Sequence, residues 1–184
     1  MKHLLSVPSL GGIGRWFVPL WRHRRAMVPV LLIWALAALK LFVDPTPRLP
    51  LLFNVTASLP HHVLWLSPLD VPLERGDLVV YRFDGPAQAE RPGLQRQPFF
   101  KLVRGLPGDR ISVTGRVVSI NGEPVGLAKT HSLDRQPLEP ITATVIPAGH
   151  YYMQGSSPDS FDSRYRASGL VRADQLLGKA TPLW

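Results

Sequence analysis

The chain has 184 residues, a hydrophobic content of 45%, a formal net charge of +8 and no cysteine. That length accommodates one ordinary domain with appendages, and the missing cysteine excludes disulfides, thiol nucleophiles and thiolate metal sites. Six of the positive charges (Lys2, Arg15, Arg22, Arg24, Arg25 and Lys40) fall in residues 1–43, which hold no acid, so the other 141 residues carry only +2 and the pattern argues against a nucleic-acid groove.

Residues 26–43 form an 18-residue apolar run, at the short end for a spanning helix. Pro29 falls in the first turn, where a missing N–H is tolerated, and Lys40 sits close enough to the end to snorkel. Arg22-His23-Arg24-Arg25 precedes the run, and the first acid after it is Asp44. The positive-inside rule then makes 1–25 a basic cytoplasmic segment, 26–43 a transmembrane anchor and 44–184 an exported domain. A cleaved signal peptide is the competing reading. Its small-residue site would have to be Ala35, Ala37 and Ala38, which lie inside the apolar run and not after it. Residues 4–21 are apolar too, but Pro8, Gly11, Gly12, Gly14 and Pro19 argue against a second span.

Beyond the anchor, prolines and glycines punctuate the chain and no stretch keeps a 3.6-residue period. Residues 49–53 and 63–66 are apolar and read as core strands, with a membrane-dipping or substrate-groove surface as the alternative. Strands are predicted over 77–83, 99–104, 110–113, 116–120, 142–146 and 150–154. Asn121-Gly122 is a hairpin signal leading into Glu123-Pro124-Val125. Residues 86–98 are polar and proline-bearing and are expected to form a flexible loop; 172–177 suit one or two helical turns. The fold class expected is mainly β, a coiled sheet or partial barrel of short antiparallel strands, behind one transmembrane helix.

Within 99–104, strand alternation puts Phe99, Lys101 and Val103 on one face. By itself this pattern favours a lysine snorkelling at a sheet edge. It also suits a lysine that must lose its proton. At pH 7 only about one ordinary lysine in 2,500 is neutral. Burial between Phe99 and Val103 could supply the roughly 4–5 kcal/mol needed to bring its pKa near 7. A serine hydroxyl needs such a base before it attacks, and Ser58 lies upstream in Asn54-Val55-Thr56-Ala57-Ser58-Leu59-Pro60. The chain has no Gly-x-Ser-x-Gly elbow. Asn54-Val55-Thr56 also fits the glycosylation acceptor pattern. The adjacent His61 and His62 point opposite ways on an extended chain, and His131 and His150 have no partner at ligand spacing, so no metal site or cofactor is expected.

Three blocks in order resemble the signal peptidase I family of membrane-anchored Ser–Lys peptidases. They are Thr56-Ala57-Ser58-Leu59-Pro60, then Lys101-Leu102-Val103-Arg104-Gly105-Leu106-Pro107-Gly108-Asp109, then Gly155-Ser156-Ser157-Pro158-Asp159-Ser160-Phe161-Asp162-Ser163-Arg164-Tyr165. Arg75-Gly76-Asp77 is a weaker fourth match. The short chain, the Ser-Leu-Pro variant and the Ser-Phe-Asp-Ser-Arg-Tyr ending look closest to the TraF-type peptidases of conjugative transfer. General leader peptidases carry Ser-Met, Gly-Asp-Asn and a longer interval before the last block.

The resemblance implies Ser58 as nucleophile and Lys101 as general base. It implies an oxyanion hole from the Ser58 N–H and the Thr56 hydroxyl, with Ser160 orienting the lysine amine. Asp162 and Arg164 would pair to support that loop; the bland alternative is a surface ion pair worth under ~1 kcal/mol. The implied partner is a membrane-inserted precursor, pilin-like or secretory, and the implied location is a bacterial inner membrane with the catalytic domain in the periplasm. Two other functions stay open. One is a general signal peptidase for secretory precursors, and the other a catalytically silent anchored β scaffold. Composition and spacing say nothing of oligomeric state.

Overall fold

The computed structural model describes residues 24–43, 50–54, 58–69 and 72–183. The chain divides into two compact units, Met1–Asp44 and Pro45–Trp184. In the first, α1 runs Arg24–Val43, 20 residues with Pro29 inside it. Val28, Leu32, Trp34 and Leu39 are all exposed along it. Among the described residues no helix is long and apolar enough to cross a membrane, so the expected spanning helix is not found there.

The second unit is mainly β, as its turn-rich sequence predicts. Its strands are β1 (Leu51–Phe53), β2 (Val63–Ser67), β3 (Leu78–Arg82), β4 (Pro98–Gly105), β5 (Arg110–Thr114), β6 (Val117–Ile120), β7 (Glu123–Leu127), β8 (Thr144–Val145), β9 (His150–Gln154), β10 (Val171–Arg172) and β11 (Leu176–Pro182). Seven make one sheet in the order β1-β2-β11-β3-β4-β9-β10; four make a second, β7-β6-β5-β8. Every pairing is antiparallel. Neither sheet closes, so the architecture is two open sheets and not a barrel. Residues 172–177 depart from their helical expectation. Only Ala173–Gln175 turns, as a 3₁₀ segment, and β11 then inserts between β2 and β3. Residues 86–98 are no plain loop either. They hold 3₁₀ turns at Pro86–Ala89 and Pro92–Leu94, tied down by the Ala87 N–H on the Ala167 carbonyl and by an Arg91–Asp134 ion pair.

The large sheet is covered on both faces, which is why β3 reads Leu-Val-Val-Tyr without alternation. One face packs Leu52, Leu59, Leu64, Leu78, Val80 and Ala180. The other packs Leu73, Val79, Tyr81, Val103, Met153 and Val171. A third cluster lies under the small sheet and takes in Tyr152 and Tyr165, so β9 and the segment after it share a core with that sheet. β1 and β2 each split their faces: Leu52 and Leu64 are buried, while Leu51, Phe53 and Trp65 are exposed. The core-strand reading therefore holds for one face of each strand, and the other face is exposed.

Candidate active site

Lys101 is the anomaly of β4: a charged residue in an eight-residue strand, buried to 4% exposure. It pairs across to Val79 and shares its face with Val103, both fully buried. Its Nζ lies 5.4 Å from the centre of the Phe99 ring, within the range of a cation–π contact. Burial is the largest influence on the amine and lowers its pKa from 10.5 to about 8, with Arg164 adding to the fall and Asp162 opposing it. About one amine in ten is then neutral at pH 7. The snorkelling alternative does not describe this residue.

The β4–β9 ladder sets Leu102 against Gln154 and Val103 against Met153; continued by one residue, the same register puts Lys101 opposite Gly155. Gly155 sits at a crowded point. A Cβ there would lie 2.7 Å from Ser160 Cβ and 2.9 Å from the Ser58 carbonyl oxygen. Ser58 is in turn tied to this segment, its carbonyl accepting from the Ser156 N–H at 3.0 Å, the Ser157 N–H at 3.3 Å and the Ser156 hydroxyl at 3.3 Å. The fold thus gathers Ser58, Gly155 and Ser160 in direct contact, with Lys101 on the neighbouring strand. Gly155→Ala is accordingly expected to lower the melting temperature and remove at least about nine-tenths of peptidase activity, since overpacking of this kind costs ~1–3 kcal/mol and displaces both serines. Thermal melting alongside a precursor-cleavage assay checks both effects.

The segment after β9 is held by its own polar residues. Asp162 and Arg164 are 0% and 3% exposed and form a two-pronged ion pair, Nε to Oδ1 at 2.8 Å and Nη2 to Oδ2 at 2.9 Å. Asp162 also accepts the Gly155 N–H at 3.0 Å. Arg164 further donates to the carbonyls of Ser157, Pro158, Ser160 and Leu127, the last on β7. It passes over Gly126, where a Cβ would come 3.2 Å from its Cδ. Ser163 clips the segment back to β9 by taking the Met153 N–H and donating to the Gly169 carbonyl. A solvated surface ion pair is excluded. Ser160 Oγ is buried with no hydrogen-bond partner among the described residues, so the expected bond to the lysine amine is not formed. Thr56 lies outside the described residues.

Asn54 and Asp109 carry structure that the sequence reading left out. Asn54, 6% exposed, donates through its side chain to the carbonyls of Leu59 and His61 at 3.3 and 2.9 Å, bracing the turn that holds Ser58. Asp109 ends the Gly-Leu-Pro-Gly-Asp turn and accepts from the Leu106 N–H, the Asn121 side chain and Arg75. Burial works against its charge, but these three donors prevail and hold its pKa below the ordinary value. The turn therefore joins three sequence motifs and does more than end a strand. A cavity of about 870 Å³ lies elsewhere, lined by Asp84, Ile141, Arg166, Leu170 and Arg172 among others. It contains none of these residues, and the buried lysine marks the site better than cavity size does.

A buried lysine beside a serine-bearing turn and a Ser-x-Asp-Ser-Arg loop is one arrangement of a peptidase, and comparison with known proteins decides the family. The pattern of the family described as signal peptidase, peptidase S26, matches residues 20–184. The chain belongs to the signal peptidase family. Over 144 residues it is 31% identical to the conjugal transfer protein TraF of Agrobacterium fabrum, covering 71% of this chain and 80% of that one. A second conjugal transfer protein TraF, from Agrobacterium tumefaciens, is 29% identical over 180 residues, with 89% and 97% covered. Signal peptidase I of Pseudomonas aeruginosa is 30% identical over 146 residues, with 60% of this chain and 49% of that one covered. This signal peptidase is therefore a hydrolase of the serine-peptidase type, related to TraF proteins.

Proposed function

We propose that the chain is a membrane-anchored endopeptidase that removes the leader from a pilin-type precursor of conjugative transfer, with Ser58 as nucleophile and Lys101 as base. The observation that carries this reading is the lysine amine whose pKa burial lowers to about 8 on the strand beside the Ser58–Gly155 contact. Neutral Lys101 takes the proton as Ser58 Oγ attacks the scissile carbonyl, then returns it to the departing amine as the acyl-enzyme forms. The same amine next deprotonates the water, or the pilin amine, that resolves the ester. Donors at the oxyanion are the Ser58 N–H and the Thr56 hydroxyl, each worth about 3–4 kcal/mol in a dry site. Ser160, whose buried hydroxyl has no partner among the described residues, is the group that would orient the lysine amine. The TraF names of the relatives support the conjugative substrate.

The apolar run 26–43 supports an anchor, since α1 extends over all of it. The exposed face of Leu51, Phe53 and Trp65 supports a catalytic domain resting at the bilayer surface on the exported side. The full chain in detergent or vesicles is the preparation to test, incubated with a pilin precursor and with an ordinary secretory precursor. Cleavage of the pilin precursor by the parent, and by neither Ser58→Ala nor Lys101→Ala, is the expected result. As pH rises, kcat/KM should climb to a plateau with a midpoint near 8, because the reactive amine is the deprotonated one. Equal or better cleavage of the secretory precursor points to general signal processing, no cleavage of either precursor by the folded parent leaves only a scaffold, and unaltered cleavage by both folded variants overturns the Ser58–Lys101 assignment. Mass spectrometry of the product separates a linear chain from a circle.

A further inference from the structure

The pair Ser156-Ser157 follows the crowded Gly155, and the mechanism above gives it no task. Its position supplies one. The Ser58 carbonyl receives both backbone N–H groups of this pair and, in addition, the Ser156 hydroxyl at 3.3 Å. An aspartate in place of Ser156 would offer no third donor. On the other side of the nucleophile, Asn54 holds the carbonyls of Leu59 and His61. The turn that carries Ser58 is therefore pinned at three carbonyls, those of Ser58, Leu59 and His61, from two separate segments. The pin on the Ser58 side is itself fixed: Arg164 donates to the carbonyls of Ser157 and Pro158, and the Ser157 hydroxyl caps the Asp159 N–H at 3.2 Å.

We propose that Ser156 is a positioning residue for the nucleophile. Its hydroxyl anchors the Ser58 carbonyl, which fixes the backbone from which Oγ projects and from which the Ser58 N–H meets the oxyanion. The residue touches neither substrate nor the reacting atoms. Both of those groups act in the transition state, so loosening the anchor lowers kcat and leaves substrate binding intact. The inference rests on Ser58 being the nucleophile.

Steady-state cleavage of a precursor by the full chain tests it, using Ser58→Ala, Ser156→Ala, Ser156→Thr and Ser156→Asp. With one neutral hydrogen bond lost, Ser156→Ala is expected to show kcat lower by roughly five-fold at unchanged KM, with the pH midpoint still near 8. Ser156→Thr, which keeps the hydroxyl, should restore kcat; Ser156→Asp should not. Melting temperatures of all variants are read in parallel, and the kcat loss should persist well below each midpoint. An unchanged kcat in Ser156→Ala overturns the proposal, as does a loss confined to KM or one that threonine fails to rescue. Activity retained by Ser58→Ala instead overturns the nucleophile assignment, so the two failures are distinguishable.

Discussion

Lys101→Met is expected to lower kcat/KM by at least about 10³ and yet to melt roughly 5–10 °C above the parent at pH 7. The first effect follows from removing the proposed base. The second follows from where the amine is buried. Lys101 sits at 4% exposure among Val79, Val103 and Phe99, and its folded pKa of about 8 is below the ordinary 10.5. At pH 7 the folded chain therefore holds a charged ammonium that its surroundings disfavour, at a net cost of about 3 kcal/mol with the attraction of Asp162 already included. Methionine has a similar volume and an unbranched stem, and its sulfur packs well against an aromatic ring. The sign can be checked through pH. Between about 8 and 10.5 the unfolded chain binds more protons than the folded one, so parental stability rises with pH in that window. The advantage of Lys101→Met should be largest at or below pH 7 and shrink as pH climbs from 8 to 10.5. Melting curves across that range read it directly. An advantage that stays constant with pH, or that is absent at pH 7, would sink the idea that burial sets this amine's pKa.

The residues proposed to carry chemistry are legible because each leaves a local mark. A lysine on the apolar face of a strand is visible from alternation alone, and the flanking blocks turn its reading from snorkelling to base. The strands with turn signals at both ends were legible for the same reason: β3, β4 and β6 lie where β-branched runs and Gly-Asp or Asn-Gly turns put them. What escaped depends on distant partners. Residues 172–177 have a helical composition, yet Leu176 and Leu177 open β11, which takes its place between β2 and β3 across about 100 residues of sequence. No local period encodes that insertion. The bracing role of Asn54 is not legible, because its sequence neighbours are uninformative about the carbonyls of Leu59 and His61 folding back onto it. Arg164 was expected to pair with Asp162, but nothing in spacing two residues apart distinguishes a surface pair from one buried under β7. The carbonyl of Leu127 decides that, and it lies 37 residues away.

Asp162→Ala is the variant expected to damage the fold most. It leaves Arg164 charged at 3% exposure with only carbonyls around it, and it strips the acceptor from the buried Gly155 N–H. Breaking a buried pair from one side costs about 3–5 kcal/mol, which for a chain of this size is a fall of roughly 10 °C or more in melting temperature. Activity should fall further than stability explains. Gly155 contacts Ser58 and Ser160, so an unpinned Gly155 loosens both. The remaining activity carries a second signature. Asp162 raises the pKa of Lys101 while burial lowers it, so removing the carboxylate should move the pH midpoint below 8. The double variant Asp162→Ala with Arg164→Leu separates the two roles. With both charges gone, no ion is left unpaired, and part of the lost melting temperature should return. Activity should not return, because Ser157, Pro158, Ser160 and Leu127 then lose the guanidinium that joins them. A double variant less stable than Asp162→Ala would mean that those four carbonyl bonds, and not the ion pair, hold the segment against the nucleophile's turn.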